Sequence, residues 1–309
     1  MALVPRRSFL ASLGAGLVAP ASLRARADRK RLPIAFSTLG CPAWSFERVL
    51  AEADRLGYAA IELRGIEGDM DLPKRPELSG SRLRGTRRDL EALGLRVACL
   101  GASARMHEKA PAVRAKQLEE GRRFVDLAHE LGVPYVRMFG DAIPKHEPRA
   151  EVLLRIVEGF QEMAGRAKAA GVTVLIESHG DFTRSADLEA VLTRVGSDAF
   201  ALLWDAHHTF VAGQESPADT YARLGRHVRH THLKDSKPAD TDRRYVLLGA
   251  GEVPVRQQVK VLASAGYAGY YCLEWEKKWH PELEDPETAF PHYATVMAGY
   301  LAEAGVKTE

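Results

Sequence analysis

From residue 33 onward the chain alternates between two hydrophobic periods. Short runs rich in apolar residues fall at 33–38, 59–63, 95–101, 134–139, 172–177, 199–205, 228–234 and 269–275. Between them lie longer stretches, such as 46–56, 112–131 and 150–170, where apolar residues recur at three- and four-residue spacing. The first pattern predicts β-strands and the second amphipathic helices. Gly57, Gly94, Gly132, Gly171 and Gly266 recur at helix ends, shortly before the next strand. A left-handed residue is wanted there to close the helix, and glycine adopts that conformation without steric cost. Eight strand-then-helix units with no break in composition predict one parallel (β/α)8 TIM barrel over 28–309. A doubly wound open sheet is the alternative, but no GxGxxG opens the first strand–helix turn.

Gly14 and Gly16 belong to a different kind of segment, one that reads as an address. Pro5-Arg6-Arg7-Ser8-Phe9-Leu10 is followed by small apolar residues and closes on Ala25-Arg26-Ala27, an A-x-A cleavage pattern. The paired arginines ahead of Phe9 and Leu10 are of the twin-arginine type. Residues 1–27 are therefore expected to be a signal peptide that engages the twin-arginine export machinery and delivers a folded barrel to the periplasm. The apolar run is shorter than the roughly 20 residues that span a bilayer, so no stable membrane span is expected after cleavage.

The signal changes the charge picture. The formal net charge of +2 becomes −2 once the four arginines of 1–27 are set aside, because that segment holds no acid. A near-neutral body lacks the basic field of a general nucleic-acid binder. With 309 residues and 46% hydrophobic content, the chain has enough apolar mass for one large core. Cys41, Cys99 and Cys272 are odd in number and far apart, which fits buried thiols better than a disulfide scaffold or a zinc knuckle.

In a barrel of this kind, chemistry sits where strands end at the C-terminal mouth. The last four predicted strands end at Glu177, at Asp205, in His230-Thr231-His232-Leu233-Lys234-Asp235, and at Glu274. The first two steps, Glu177 to Asp205 and Asp205 to His232, are each about one strand–helix unit long. The excess before Glu274 falls in the polar stretch 236–252, expected as a long loop over the mouth that carries Glu252. Any one of these carboxylates alone could simply cap the following helix. Together on consecutive strands they would converge and repel one another unless a cation neutralised them. Three carboxylates and one imidazole favour Mn2+ or Mg2+, with Co2+ possible and Zn2+ less natural.

Strand parity places His230, His232 and Lys234 on one face. His232, nearer the mouth, is the expected ligand, and His230 the expected core histidine. His208 is placed to grip a substrate oxygen, and His207 to support Asp205. Glu62, His107, Arg137 and His179 follow strands two to five, as substrate-binding candidates or ordinary polar partners. Trp44 and Trp279 are expected at the mouth. The run 276–280 reads equally as pocket lining or as a solvated charged loop.

Several of these positions form motifs. They are Ile61-Glu62-Leu63, Ile176-Glu177-Ser178-His179-Gly180, Asp205-x-x-His208, His230-x-His232-x-Lys234-Asp235, Gly249-x-Gly251-Glu252-Val253-Pro254 and Leu273-Glu274-Trp275-Glu276. Over residues 33 to 303 the chain resembles the sugar phosphate isomerase/epimerase superfamily, the xylose isomerase-like TIM barrels. That group includes ketose 3-epimerases, inosose dehydratases and the endonuclease IV branch. The resemblance implies that Glu177, Asp205, His232 and Glu274 are metal ligands and that His208 contacts substrate. Thr183 stands where the ketose 3-epimerases carry a further glutamate. Lys234-Asp235-Ser236 stands where they place an arginine, and Arg243 and Arg244 come only later in the loop. The endonuclease branch needs a three-metal cluster and a basic groove, which the charge of the body does not provide.

The chemistry expected of such a site is proton abstraction next to a carbonyl. Glu177 and Glu274, on strands five and eight, would bracket the reacting carbon, one removing the proton and the other returning it. Lys234 and His208 would hold the developing oxyanion or a hydroxyl. The result is a divalent-metal-dependent isomerase or epimerase acting on a small carbohydrate through an enediolate. A lyase or dehydratase acting on a 3-oxo sugar, glycoside or cyclitol is the first alternative. A non-catalytic exported carbohydrate-binding barrel is the second.

Overall fold

The computed structural model describes residues 30–240 and 243–307, and the predicted signal peptide lies outside them. Eight parallel strands close into a barrel in the order β1-β10-β7-β6-β5-β4-β3-β2. They are β1 (Leu32–Ser37), β2 (Tyr58–Leu63), β3 (Arg96–Arg105), β4 (Tyr135–Phe139), β5 (Thr173–Glu177), β6 (Phe200–Asp205), β7 (Val228–Leu233) and β10 (Tyr271–Leu273). Each coincides with one of the predicted runs. The ring is covered outside by α1 (Phe46–Leu56), α2 (Gly80–Leu93), α3 (Pro111–Leu131), α4 (Arg149–Ala170), α5 (Ser185–Val195), α6 (Ala206–Val211), α7 (Pro217–Leu224), α8 (Val255–Ser264) and α9 (Pro286–Glu303). No helix among the described residues is long and apolar enough to cross a membrane.

The helix ends follow the glycine pattern. Gly57, Gly94, Gly132 and Gly171 cap α1 to α4 with φ of +77°, +64°, +74° and +68°. Each takes a left-handed turn that a side chain would strain.

β3 outruns its apolar segment for a physical reason. Its register against β4 shifts between Gly101 and Arg105. The N–H groups beyond the shift are met by side chains of α3: Ser103 N donates to Glu120 Oε1 at 2.6 Å and Arg105 N to Gln117 Oε1 at 2.8 Å.

Strand parity divides the interior into two layers. Outward-facing residues such as Phe36 and Ile61 pack beneath the helices, with Phe36 stacked on Phe290 at 4.2 Å between ring centroids. The barrel's own interior is lined by small groups, including Ala35, Ala60, Ala98 and Cys272 in one cluster. Such residues leave room along the axis, and polar side chains take it: Glu62, Arg137, His230 and His232 are all buried there. All three cysteines are free and buried. Trp44 departs from the expected mouth position. It is buried edge-on against Phe290 (5.5 Å), with the Arg48 guanidinium 4.4 Å from its ring, and so belongs to the helix layer.

The long polar segment before α8 is partly ordered as an antiparallel hairpin. β8 (Asp235–Pro238) pairs with β9 (Arg243–Val246) in the register Asp235↔Val246 to Pro238↔Arg243. Asp235 anchors its base. Its Oδ2 accepts from Gly249 N and Gly251 N (3.0 and 2.9 Å), and its Oδ1 accepts from Val253 N and Ser236 N (3.1 and 2.8 Å).

Candidate metal and proton-transfer site

Glu177 closes β5, Asp205 closes β6, His232 lies near the end of β7, and Glu274 directly follows β10. One donor atom from each lies within 4.8 Å of all the others. His232 Nδ1 is 3.3 Å from Glu177 Oε1, 3.3 Å from Glu274 Oε2 and 4.0 Å from Asp205 Oδ2. All four side chains are buried.

Asp205 fills both roles open to it. Its Oδ1 accepts from His207 N (3.0 Å) and His208 N (3.1 Å), capping α6, while Oδ2 turns towards the cluster. Asp205 Oδ2 and Glu177 Oε2 are fully buried acceptors without a well-directed hydrogen bond, although each has a cation beside it. Unused acceptors on buried carboxylates are costly, and a hard divalent cation is the partner that suits them. The donor set therefore fits a divalent ion.

Behind His232 the barrel axis supplies a second carboxylate. Glu62 Oε2 lies 2.8 Å from His232 Nε2 and 3.0 Å from His230 Nε2. Burial pushes the Glu62 carboxyl up, but the two histidines more than reverse this and hold it well below the usual carboxylate range. An imidazole that donates one N–H to a carboxylate presents its other nitrogen as a lone pair, which fixes the tautomer a ligand needs. Glu62 thus sits beneath the site, supporting His232, and does not line the pocket.

Two buried cations balance the acids. Arg137 Nε lies 3.0 Å from Glu177 Oε2, and its guanidinium covers the Phe139 ring at 4.1 Å. Burial raises the Glu177 carboxyl, but Arg137 leads the influences that bring it down to about 2. Glu274 is also held ionised: burial opposes this, while His232 and Lys234 favour it. Lys234 Nζ lies 2.7 Å from Asp205 Oδ2, 2.5 Å from Glu274 Oε2 and 2.8 Å from Glu276 Oε1. Lys234 donates to Glu274 and forms ion pairs with Asp205 and Glu276, so it is committed to the acids and is not turned towards substrate as expected.

The remaining candidates divide. The mouth pocket holds about 90 Å3 and is lined in part by Arg137, Glu177, His179, Glu274, Glu276 and Trp279. Trp279 is 53% exposed, at the rim where it was expected. His208 is mostly buried, with Nε2 3.4 Å from Asp205 Oδ2. Burial, reinforced by Lys234, pushes it down to about 3, so it is a neutral hydrogen-bonding group. His207 Nε2 contacts Ser236 Oγ at 2.8 Å. His107 and His179 both face Asp141, at 3.9 and 3.5 Å, and only His179 also reaches the pocket wall. Glu252 is exposed beside Arg243 (3.7 Å), away from the acids.

Two residues went unnoticed in the sequence. Arg64 shares the parity of Ala60 and Glu62, one layer nearer the mouth, and it lines the pocket. That parity was a legible signal. Tyr245 reaches the site from β9, its ring 5.3 Å from that of His207 and 5.7 Å from Lys234 Nζ. A lone tyrosine in a polar loop gave no such signal. A roomier cavity of about 580 Å3 at the opposite end of the barrel is lined by Arg87, Arg96 and Arg229 and contains no pair of carboxylates.

Residues 50–296 match the model of the xylose isomerase-like TIM barrels, four-fifths of the chain. The chain belongs to that family. It is 26% identical over 294 residues to the L-ribulose-5-phosphate 3-epimerase UlaE of Escherichia coli K12, an alignment covering 90% of this chain and 98% of UlaE. Among solved structures, an L-ribulose 3-epimerase superposes with a TM-score of 0.71 at 21% identity, covering 88% of this chain and 95% of its own. A xylose isomerase-like barrel from Mycobacterium smegmatis, in complex with magnesium, superposes with a TM-score of 0.67 at 19% identity, covering 90% and 98%. At those identities the structures speak for the shared fold.

Proposed function

We propose that this protein is a divalent-metal-dependent sugar isomerase or epimerase that moves a proton on a carbon next to a carbonyl. The observation that carries the reading is the convergence of Glu177, Asp205, His232 Nδ1 and Glu274 within 4.8 Å, with buried acceptor atoms left over. Sugar epimerases among the relatives, UlaE above all, support it.

Those four residues would hold the ion, and their oxygen-rich set suits Mg2+ or Mn2+ ahead of Co2+ or Zn2+. When bound, the ion supplies Lewis-acid polarisation of a carbonyl oxygen and stabilises negative charge beside it. The chain's own residues do the rest. Glu177 and Glu274 are both kept ionised, the form a general base requires. They stand on different strands with the pocket between them, so one can take a proton from one face of a carbon while its counterpart serves the other. His208, neutral at working pH, is suited to hydrogen-bond a sugar hydroxyl, and the exposed Trp279 offers a face to a sugar ring.

We further propose that residues 1–27 direct the folded barrel to the periplasm. The arginine pair and the A-x-A site support that step.

Incubation of the protein with Mn2+ and a panel of free, 3-oxo and phosphorylated sugars in D2O tests the catalytic reading. Deuterium is expected at a carbon next to the carbonyl, with the epimer or isomer as product. Binding of sugars without exchange in any of them would point to the non-catalytic barrel.

A further inference from the structure

Arg64 is a buried charge held by neutral partners. It is 6% exposed and lines the mouth pocket together with Arg137, Glu177 and Glu274. Among the described residues its hydrogen-bond acceptors are the Gly101 carbonyl (3.2 Å) and the Ser103 hydroxyl (3.0 Å), both neutral. Among the described residues no carboxylate lies within 4.0 Å of its guanidinium nitrogens, and a guanidinium has five N–H donors. Burying a charge without a paired counter-charge is expensive. Burial and the neighbouring Arg137 pull Arg64 down to about 9, against the through-space influence of Glu274, Glu177 and Glu62.

The two arginines are placed side by side deliberately. A Cβ built on Gly101 would come within 2.6 Å of Arg64 Cδ and 2.9 Å of an Arg137 terminal nitrogen, so glycine at this point lets both side chains cross β3. Arg137 has Glu177 as its partner at 3.0 Å, and Arg64 has no equivalent among the described residues. Adjacent guanidiniums that line a cavity are the arrangement that recognises planar oxyanions.

We propose that Arg64, backed by Arg137, binds a carboxylate group of the substrate, which makes the substrate a keto sugar acid. This rests on the proton-transfer reading of Glu177 and Glu274. The pocket is small enough that an anion on Arg64 lies close to both glutamates, so the group is bonded at or beside the carbonyl carbon. That position decides between the two common anions. A phosphate ester on the carbon next to an enediolate is open to elimination: the enediolate π pair forms a new C=C bond to that carbon, the C–O bond breaks towards phosphate, and the far enediol oxygen loses its proton and becomes a carbonyl. A carboxylate has no such exit, and the extra negative charge it brings to the enediolate is offset by the paired guanidiniums.

Calorimetric titration of the Mn2+-loaded protein with three probes tests the assignment: 2-keto-D-gluconate, D-ribulose 5-phosphate and D-fructose. The keto acid is expected to bind roughly 10- to 100-fold more tightly than fructose, the range of a charge-assisted pair. Arg64→Met should remove that advantage and leave fructose binding and Mn2+ content unchanged. If that variant does not fold, Arg64→Lys, which keeps the charge without the fork, should lose part of the advantage. Fructose binding as tightly as the keto acid, or an equal loss for all three probes in the variant, would overturn the proposal. Tightest binding of ribulose 5-phosphate would overturn the choice of carboxylate. Selective binding of the acid with no proton exchange in D2O would leave this subsite standing and remove the catalytic reading.

Discussion

Glu177→Gln, assayed with saturating Mn2+, is expected to lower deuterium exchange into substrate by a factor of roughly 10²–10⁴, the usual contribution of a positioned base. Glutamine keeps the shape and one oxygen donor but cannot accept the proton. Glu274→Gln should fall in the same range. Because both side chains are also candidate metal ligands, the loss has to be separated from metal loss. Bound Mn2+ measured on the same samples does this: metal retained with exchange lost identifies a proton-transfer role. Full exchange in either variant would remove that glutamate from the acid/base pair. Arg137 beside Glu177, and His232 and Lys234 around Glu274, keep both carboxyls ionised. Each is thus a base at rest and an acid only after taking a proton.

Lys234→Met is expected to have the second large effect, on stability. Lys234 Nζ is shared by Asp205, Glu274 and Glu276, all within 2.8 Å. Removing one member of a buried ion-pair network typically costs about 3–5 kcal/mol, since the partners are left buried without a counter-charge. That corresponds to a loss of roughly 10 °C in the melting temperature of metal-free protein. Divalent metal should restore part of it, because Asp205 and Glu274 belong to both the lysine cluster and the ligand set. Thermal melts of wild type and variant, each with chelator and with Mn2+, give the comparison. Equal destabilisation in both conditions would show that the lysine and the ion do not share those acids.

Most of the barrel was readable because both of its periods are strong. Strand runs of five to seven residues and helices closed by glycine leave little freedom once the crossovers must be right-handed. The three acids and the imidazole were readable for a related reason: strand ends in a barrel are equivalent positions, so chemistry at successive ends must converge. What escaped was long-range packing. Trp44 is a large aromatic in the loop after β1, and whether it faces the mouth or the helix layer is decided by Phe290, about 250 positions later. Glu62 was marked only by its position on strand two, while parity placed Lys234 on an inward face. Their roles, orienting His232 and neutralising three acids, depend on partners from β7, β6 and the segment after β10. Tyr245 enters through a hairpin whose alternation is too polar to announce a strand.

The account stands or falls on whether the acids at the barrel mouth exist to hold an ion. Metal analysis of the protein, purified without chelator and then dialysed against Mn2+ or Mg2+, measures this directly. About one divalent ion per chain is expected, falling to a small fraction in His232→Ala, since the imidazole nitrogen would be a direct donor. A wild-type protein that retains no divalent ion, or a His232→Ala variant that retains as much as wild type, would contradict it.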